Sequence, residues 1–360
     1  MLERLRGWMD SAGASSAFIS DPVSIGYMTG FLSDPHERLL ALVLNQTEAV
    51  LIVPGLEEEN ASMAAREVRV RAWLDGSDPW REVAAALDGA GGRLAVEKSH
   101  LTMASWERLQ AIAAPQAPAL DAAPAIRAMR ARKTPGELAR LERAAQITDQ
   151  VVLHALASLA AGRSELEIAS EIGLQVAQAG AQPSFETIVG TGPNTALPHL
   201  RPGARQAQEG DLVLVDCGAA WEGYKADITR TVVLGDPDRR QRDLFQVVRE
   251  AHDSALAAVR AGVTAGAVDE AARQVIRGAA LGDFFIHRTG HGLGLEAHED
   301  PSLDPGSTTV LESGMVITIE PGVYLPGWGG VRLEDDVLVE ESGGRTLTRA
   351  RLGLEVPRAG

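Results

Sequence analysis

Helical and strand-like spacings of apolar residues alternate along the first third of this 360-residue chain. Leu2, Leu5, Trp8 and Met9 recur at helical intervals. Short apolar runs at residues 17–20, 39–44, 49–53, 68–73 and 93–96 read as buried strands, and residues 56–66 and 80–88 between them as helices. That alternation predicts an α/β unit. The segment 113–124, rich in Ala and Pro, reads as a linker and divides the chain into 1–124 and 125–360. A helix start follows, with Thr134 as N-cap, Pro135 at the first helical position and Glu137 as the capping-box acid. Leu138, Leu141, Ala145, Thr148, Val152 and Leu156 continue one face of that helix. From Asp211 onward strand patterns dominate, in DLVLVDCGA, YKADITRTVVL, MVITIE and VRLEDDVLV, with helical stretches at 239–259 and 265–279. The second part is therefore expected to be α+β around antiparallel sheet.

Composition narrows the class. With 45% hydrophobic and 23% charged residues, and a mean hydropathy of −0.04, the chain reads as a soluble globular protein. A net charge of −15 argues against non-specific binding to nucleic acid or to an anionic membrane surface. No apolar run approaches the ~18 residues of a membrane span, and MLERLRGWMD lacks the apolar stretch of a secretory signal. Cys217 is the single cysteine, which excludes an intramolecular disulfide and suits a reducing compartment. The cytoplasm is the expected location. Lysine occurs only at 98, 133 and 225, which reads as a compositional bias.

The polar residues worth chemical attention lie almost entirely in the second part. Three of the eight histidines, His287, His291 and His298, fall in HRTGHGLGLEAHE, interleaved with Gly290, Gly292 and Gly294. Such glycines read as places where backbone approaches a metal or an oxyanion closely. Asp216 ends one apolar strand and Asp227 lies in the next; a hairpin tip near Trp221 and Glu222 sets them opposite each other on one face. Facing carboxylates repel unless a cation lies between them; the other reading is a turn cap and a solvated acid. Glu320 ends MVITIE, and Glu334 follows in VRLED on the same face as Arg332. These are either buried acids serving a metal or, at the second site, a surface Arg332–Glu334 pair. Asp216, Asp227, His291, Glu320 and Glu334 together form an oxygen-rich set with one imidazole. It suits a pair of divalent ions, Mn²⁺ foremost, with Co²⁺, Fe²⁺ or Zn²⁺ possible, clamping a hydroxide and a carbonyl oxygen.

At these residues the chain resembles the M24 "pita-bread" dinuclear metallopeptidases: Xaa-Pro dipeptidases (prolidases), Xaa-Pro aminopeptidases and methionine aminopeptidases. Asp216 in DCGA, Asp227 in DITRT, His291 in GHGLG, Glu320 in EPGVY and Glu334 in VRLED match in order and context. The first part, with YMTGF at residues 27–31, resembles the creatinase-like domain of the prolidase branch. The resemblance implies that Asp216 chelates one ion, His291 and Glu320 the other, and that Asp227 and Glu334 bridge them. His199 and His298 would meet the substrate carbonyl and the developing oxyanion, and His287 would line the pocket. Arg332 would position Glu334 or meet the substrate's carboxylate. Glu320 would take the proton of a metal-bridging hydroxide's parent water as that nucleophile attacks the scissile bond. Two departures stand out: Ala297 replaces a β-branched residue, and Leu200 replaces the glycine of Pro-His-Gly, reshaping the substrate pocket.

The resulting expectation is an Xaa-Pro dipeptidase acting on proline-containing dipeptides and assembled as a homodimer. An Xaa-Pro aminopeptidase acting on longer peptides is the alternative, and a non-catalytic binding protein on the same fold the third reading. A dipeptidase must also hold a free carboxylate, for which Arg332, His36 and Arg38 are candidates. Other chemistries find no support, because no HExxH, P-loop or complete dinucleotide fingerprint is present. Cys217, beside a candidate ligand on a buried strand, reads as a core thiol.

Overall fold

The computed structural model describes residues 1–88, 92–113, 117–351 and 353–356. It divides into two units, Met1–Arg130 and Ala131–Gly360. The first is a six-stranded mixed sheet in the order Arg69–Trp73, Ala49–Pro54, Ala41–Asn45, Ser16–Ile19, Leu94–Val96 and Leu120–Asp121. Phe18, Val43, Ile52, Val83 and Leu109 are buried together under its helices. The predicted strands are all present with ends shifted by one or two residues. The Ala/Pro-rich segment, of which 114–116 lie outside the described residues, contributes the edge strand Leu120–Asp121, paired in parallel with Leu94–Val96. The helices Pro22–Thr29 and Met103–Ala113 lack a clean apolar stripe and were not expected.

Among the described residues of the second unit every strand pair is antiparallel, in keeping with the expected α+β class. The helix Pro135–Ala157 begins as expected: the Thr134 hydroxyl accepts the Glu137 N–H and the Glu137 carboxylate accepts the Thr134 N–H. It packs with Glu165–Gln178, another capping-box helix, over the sheet Ile228–Val233, Leu212–Cys217, Ile188–Thr191. Helices Arg239–Ala258 and Ala265–Gly278 cover a second sheet, ordered Glu299–Ser302, His291–Gly292, Val316–Ile319, Asp335–Val339, Gly344–Thr346. Between the two lies the ribbon Gly322–Leu325 and Gly329–Arg332.

Two expectations about strands are corrected. VRLEDDVLV is not one strand: Gly329–Arg332 ends at the arginine, Asp335–Val339 begins a separate pairing, and Glu334 sits in the break, its N–H donated to the carbonyl of Thr229. The hairpin tip is at Glu222 and Gly223, both with positive φ (47° and 84°), as a two-residue turn of primed type requires. That register sets Trp221 opposite Tyr224 and Asp216 opposite Thr229. Asp227 is therefore the diagonal neighbour of Asp216, two residues along the strand and still on the same face.

Among the described residues no helix is long and apolar enough to cross a membrane.

Candidate metal centre

Four elements of the second unit deliver acids to one cleft of about 1200 Å³. Asp216 comes from the end of Leu212–Cys217, Asp227 from the approach to Ile228–Val233, Glu320 from just beyond Val316–Ile319, and Glu334 from the strand break. His291 joins them from the short strand His291–Gly292. Side-chain ligand atoms of Asp227, His291 and Glu334 all lie within 4.8 Å of one another. Glu320 Oε1 is 3.3 Å from His291 Nε2, and Asp216 is held by a short charge-assisted hydrogen bond from Arg332. The residues expected as ligands therefore line one cavity.

The electrostatics of this cluster fit a cation. Asp227 and Glu334 are buried, and burial followed by the neighbouring carboxylates pushes both carboxyl groups well above the usual range. Glu320 is pushed up to about 7 by burial, against the lowering field of Arg332. Asp216 Oδ1 and Asp227 Oδ1 are buried without a hydrogen-bond donor. Buried carboxylate oxygens almost always have a partner. Two donor-less oxygens amid four acids and one imidazole make a donor set that suits a divalent cation.

Neighbouring groups fix these side chains. His291 Nδ1 is 3.0 Å from the carbonyl of Gly292, so that nitrogen carries the proton, and burial lowers the imidazole to about 3, keeping it neutral. The Thr229 hydroxyl donates to Glu334 Oε2 at 2.5 Å while accepting from Arg332 Nε at 3.0 Å. Arg230, fully buried, donates to the Glu334 carbonyl and to Asp335. Asp336 Oδ2 accepts the Asp227 N–H at 3.0 Å. Thr229, Arg230 and Asp336 escaped the sequence reading, since nothing local marks a cross-strand brace.

The other candidate residues divide. His199 and His298 are open to solvent in the cleft wall, the His298 ring centroid 4.2 Å from that of His291. Partial burial, then the nearby Arg288 charge, lowers His298 from its ordinary value. His287 also lines the cleft, but both ring nitrogens are engaged: Nδ1 is 2.7 Å from the Arg288 carbonyl and Nε2 is 2.9 Å from the Tyr324 hydroxyl. Arg332 is buried and committed to Asp216, Thr229, Tyr324 and the Pro198 carbonyl; it reaches Glu334 only through the Thr229 hydroxyl. Arg38, in the first unit, pairs with both carboxylate oxygens of Asp75, and exposed His36 lies 3.5 Å from Asp34. Leu200 and Ala297 both line the cleft. Arg288, overlooked in the sequence, lines it too, donating to the Ser302 hydroxyl at 2.8 Å.

The glycines of the histidine run serve a different purpose from the one expected. A Cβ at Gly290 would lie 1.9 Å from the carbonyl oxygen of Thr318, and one at Gly292 would lie 2.2 Å from that of Asp300. The close approach is to neighbouring backbone, which brings His291 between its strands. Cys217 is buried, its thiol pushed up by burial and by Asp216, as a core thiol should be.

Comparison with known proteins covers nearly all of the chain. Residues 139–341 match metallopeptidase family M24, and residues 1–132 match the creatinase/prolidase N-terminal domain. An Xaa-Pro dipeptidase of Lactobacillus delbrueckii subsp. lactis is 37% identical over 361 residues, covering 99% of this chain and 98% of that protein. Among solved structures, an Xaa-Pro dipeptidase from Bacillus anthracis superposes with a TM-score of 0.91 at 33% identity, over 98% of each chain. An X-Pro aminopeptidase from Thermotoga maritima gives 0.89 at 29% identity, over 99% of each. With its acid cluster, its two-unit architecture and these matches, the chain belongs to metallopeptidase family M24, a peptidase of the pita-bread fold with a creatinase/prolidase N-terminal domain.

Proposed function

We propose that this peptidase is an Xaa-Pro dipeptidase whose cleft holds two divalent ions, manganese being the assigned metal. The convergence of Asp227, His291 and Glu334 on one point is the observation that carries the hydrolytic reading. The dipeptide substrate is supported by the end-to-end similarity to the Lactobacillus Xaa-Pro dipeptidase. Asp216, Asp227, His291, Glu320 and Glu334 would hold the ions between them. When bound, the ions supply a water acidic enough to attack near neutral pH and an electrophile for the scissile carbonyl. Glu320 accepts the proton of the attacking water and passes it to the leaving nitrogen, which in a proline bond carries no hydrogen of its own. His298 and His199, open to the cleft, donate to the carbonyl oxygen as it gains charge. Arg332 holds Asp216, and Tyr324 with His287 holds Arg332. Leu200 and Ala297 shape the wall against the pyrrolidine ring.

Because Arg332 is spent internally, we assign the dipeptide's carboxylate to Arg288, the half-buried guanidinium beside His287. The fitting compartment is the cytoplasm, in line with a lone buried thiol, and the fitting assembly a homodimer. A second reading, Xaa-Pro aminopeptidase, is favoured by the size of the cleft, which exceeds a dipeptide's needs, and by the Thermotoga relative.

Hydrolysis of Ala-Pro and Ala-Pro-Ala by the manganese-, cobalt- and zinc-loaded protein tests the choice. Preference for Ala-Pro supports the dipeptidase; exclusive cleavage of the tripeptide overturns it. Glu320→Gln should lower kcat by about 10²–10⁴-fold, and full activity in that variant would remove Glu320 as the base.

A further inference from the structure

Lys133 is one of three lysines in the chain, and its side chain is 1% exposed. Its ammonium lies 3.1 Å from Glu299 Oε2, whose side chain is 5% exposed. Burying two charges costs far more than a surface pair returns, so the pair calls for a purpose beyond stability. The lysine's backbone is pinned on both sides. Its N–H donates to the Gly314 carbonyl, Arg132 bridges to Met315, and Thr134 caps the helix that follows. From this anchor the side chain reaches the residue next to His298.

Glu299 in turn closes the segment that carries His298. Its Oε1 accepts the Glu296 N–H at 3.1 Å, and a Cβ on Gly294 would lie 2.8 Å from Oε2, so the carboxylate packs directly on that turn. The Gly294 N–H donates to the Glu296 carbonyl, and the Gly294 carbonyl accepts from Lys225. The turn 294–298 is thus tied at its base to a carboxylate that the lysine holds in place.

We propose that Lys133 is a positioning residue that, through Glu299, fixes the turn presenting His298 to the substrate. This rests on the role assigned to His298 above. The lysine touches no substrate; it sets where an imidazole stands relative to the reacting carbonyl, and catalysis is steep in such placement.

Lys133→Met and Lys133→Met/Glu299→Gln test it. The double variant removes both charges, while the side-chain amide that replaces the carboxylate keeps a carbonyl to accept the Glu296 N–H. In the metal-free protein, amide hydrogen exchange over 293–299 should quicken in the single variant and return toward the parent rate in the double. In the manganese-loaded protein the single variant should lose at least about tenfold in kcat on Ala-Pro with KM within about twofold, the double recovering most of it. If the single variant fails to fold, the double variant is compared with Glu299→Gln alone, in which the ammonium is left buried without its charge partner. Unchanged exchange over 293–299 in Lys133→Met overturns the proposal, as does a kcat loss in the double variant equal to that of the single. Because exchange is read without metal or substrate, a protein that proved inactive on every proline peptide would refute the peptidase reading while leaving the clamp measurable. A His298→Ala variant with parental kcat would refute only the histidine's role.

Discussion

His287 and His291, four residues apart, hold the same tautomer but aim it at different partners. Each places Nδ1 against a backbone carbonyl, and each turns Nε2 inward, His287 to the Tyr324 hydroxyl and His291 to the Glu320 carboxylate. One nitrogen is consumed by a phenol; the other faces the acid cluster. His291→Ala should therefore lose bound metal, measured as ions per chain after dialysis, whereas His287→Ala should keep its metal and lose stability. Tyr324→Phe should resemble His287→Ala, since it leaves one buried guanidinium N–H and the His287 Nε2 without a partner at a cost of about 1–3 kcal/mol. Metal loss from the His287 variant equal to that from the His291 variant would contradict this division.

Removing Asp227 should have opposite effects with and without metal. Asp227 is buried beside Glu334, Asp216, Asp336 and Glu320, which together disfavour its charge. Asp227→Asn should raise the melting temperature of the chelated protein, by roughly 2–4 °C, and abolish the stabilisation that added Mn²⁺ gives the parent. Scanning fluorimetry with chelator and with Mn²⁺ reads both effects. A drop in the chelated melting temperature would show that Asp227 is a structural acid.

Glycine substitutions separate strand packing from chain flexibility. Gly290→Ala drives a methyl into the Thr318 carbonyl, 1.9 Å away, and should cost at least about 2 kcal/mol and displace His291. Gly173→Ala, in the helix Glu165–Gln178 with nothing within 4 Å, should stabilise by about 0.5–1 kcal/mol. Denaturant titration of both variants gives the contrast.

The first unit carries its own pH signature. Glu97 is buried, with Ser24 donating to it at 2.6 Å and the Asp21 N–H at 3.2 Å. Burial outweighs those bonds and pushes the carboxyl from 4.5 up to about 7. The folded state thus keeps a proton that the unfolded state has lost, so stability falls as pH rises from about 4.5 to about 7 and levels off above. Glu97→Gln should remove that slope, so that stability of the parent relative to the variant drops by roughly 1–3 kcal/mol across the window. Denaturant unfolding at several pH values measures it; parallel curves would mean Glu97 titrates normally when folded.

Which parts of this site the sequence discloses follows from where the information resides. Asp216 and Glu320 are legible because an acid at the end of an apolar strand is conspicuous, Asp227 and Glu334 because an acid amid strand-forming residues is too, and Thr134 with Glu137 because a capping box is local. The register of Asp216 against Thr229 was missed by two residues because it depends on Glu222, a non-glycine residue in the left-handed region, placing the turn one residue later. The break before Glu334 lies inside an unbroken apolar alternation and becomes visible only once Thr229 accepts its N–H. Arg332 reads in the sequence as a partner for Glu334 or for the substrate's carboxylate because nothing in its neighbourhood along the chain reveals Asp216, 116 residues away. Lys133 looked like composition for the same reason, Glu299 being 166 residues off.

That reassignment of Arg332 sharpens the choice between dipeptidase and aminopeptidase. A dipeptide presents a carboxylate immediately after its proline, where a longer peptide presents a neutral amide, so a guanidinium reaching that point favours the dipeptide alone. Arg288 lines the cleft and is fixed by the Ser302 hydroxyl through one nitrogen. Arg288→Met should raise KM for Ala-Pro by about 10–100-fold, with kcat changed far less, and should leave cleavage of Ala-Pro-Ala nearly untouched. Ser302→Ala, which releases the guanidinium without removing it, should shift KM in the same direction by a smaller factor. Steady-state kinetics on the two peptides distinguish the cases: equal losses on both would mean that Arg288 supports the cleft generally, and the carboxylate would then need another partner.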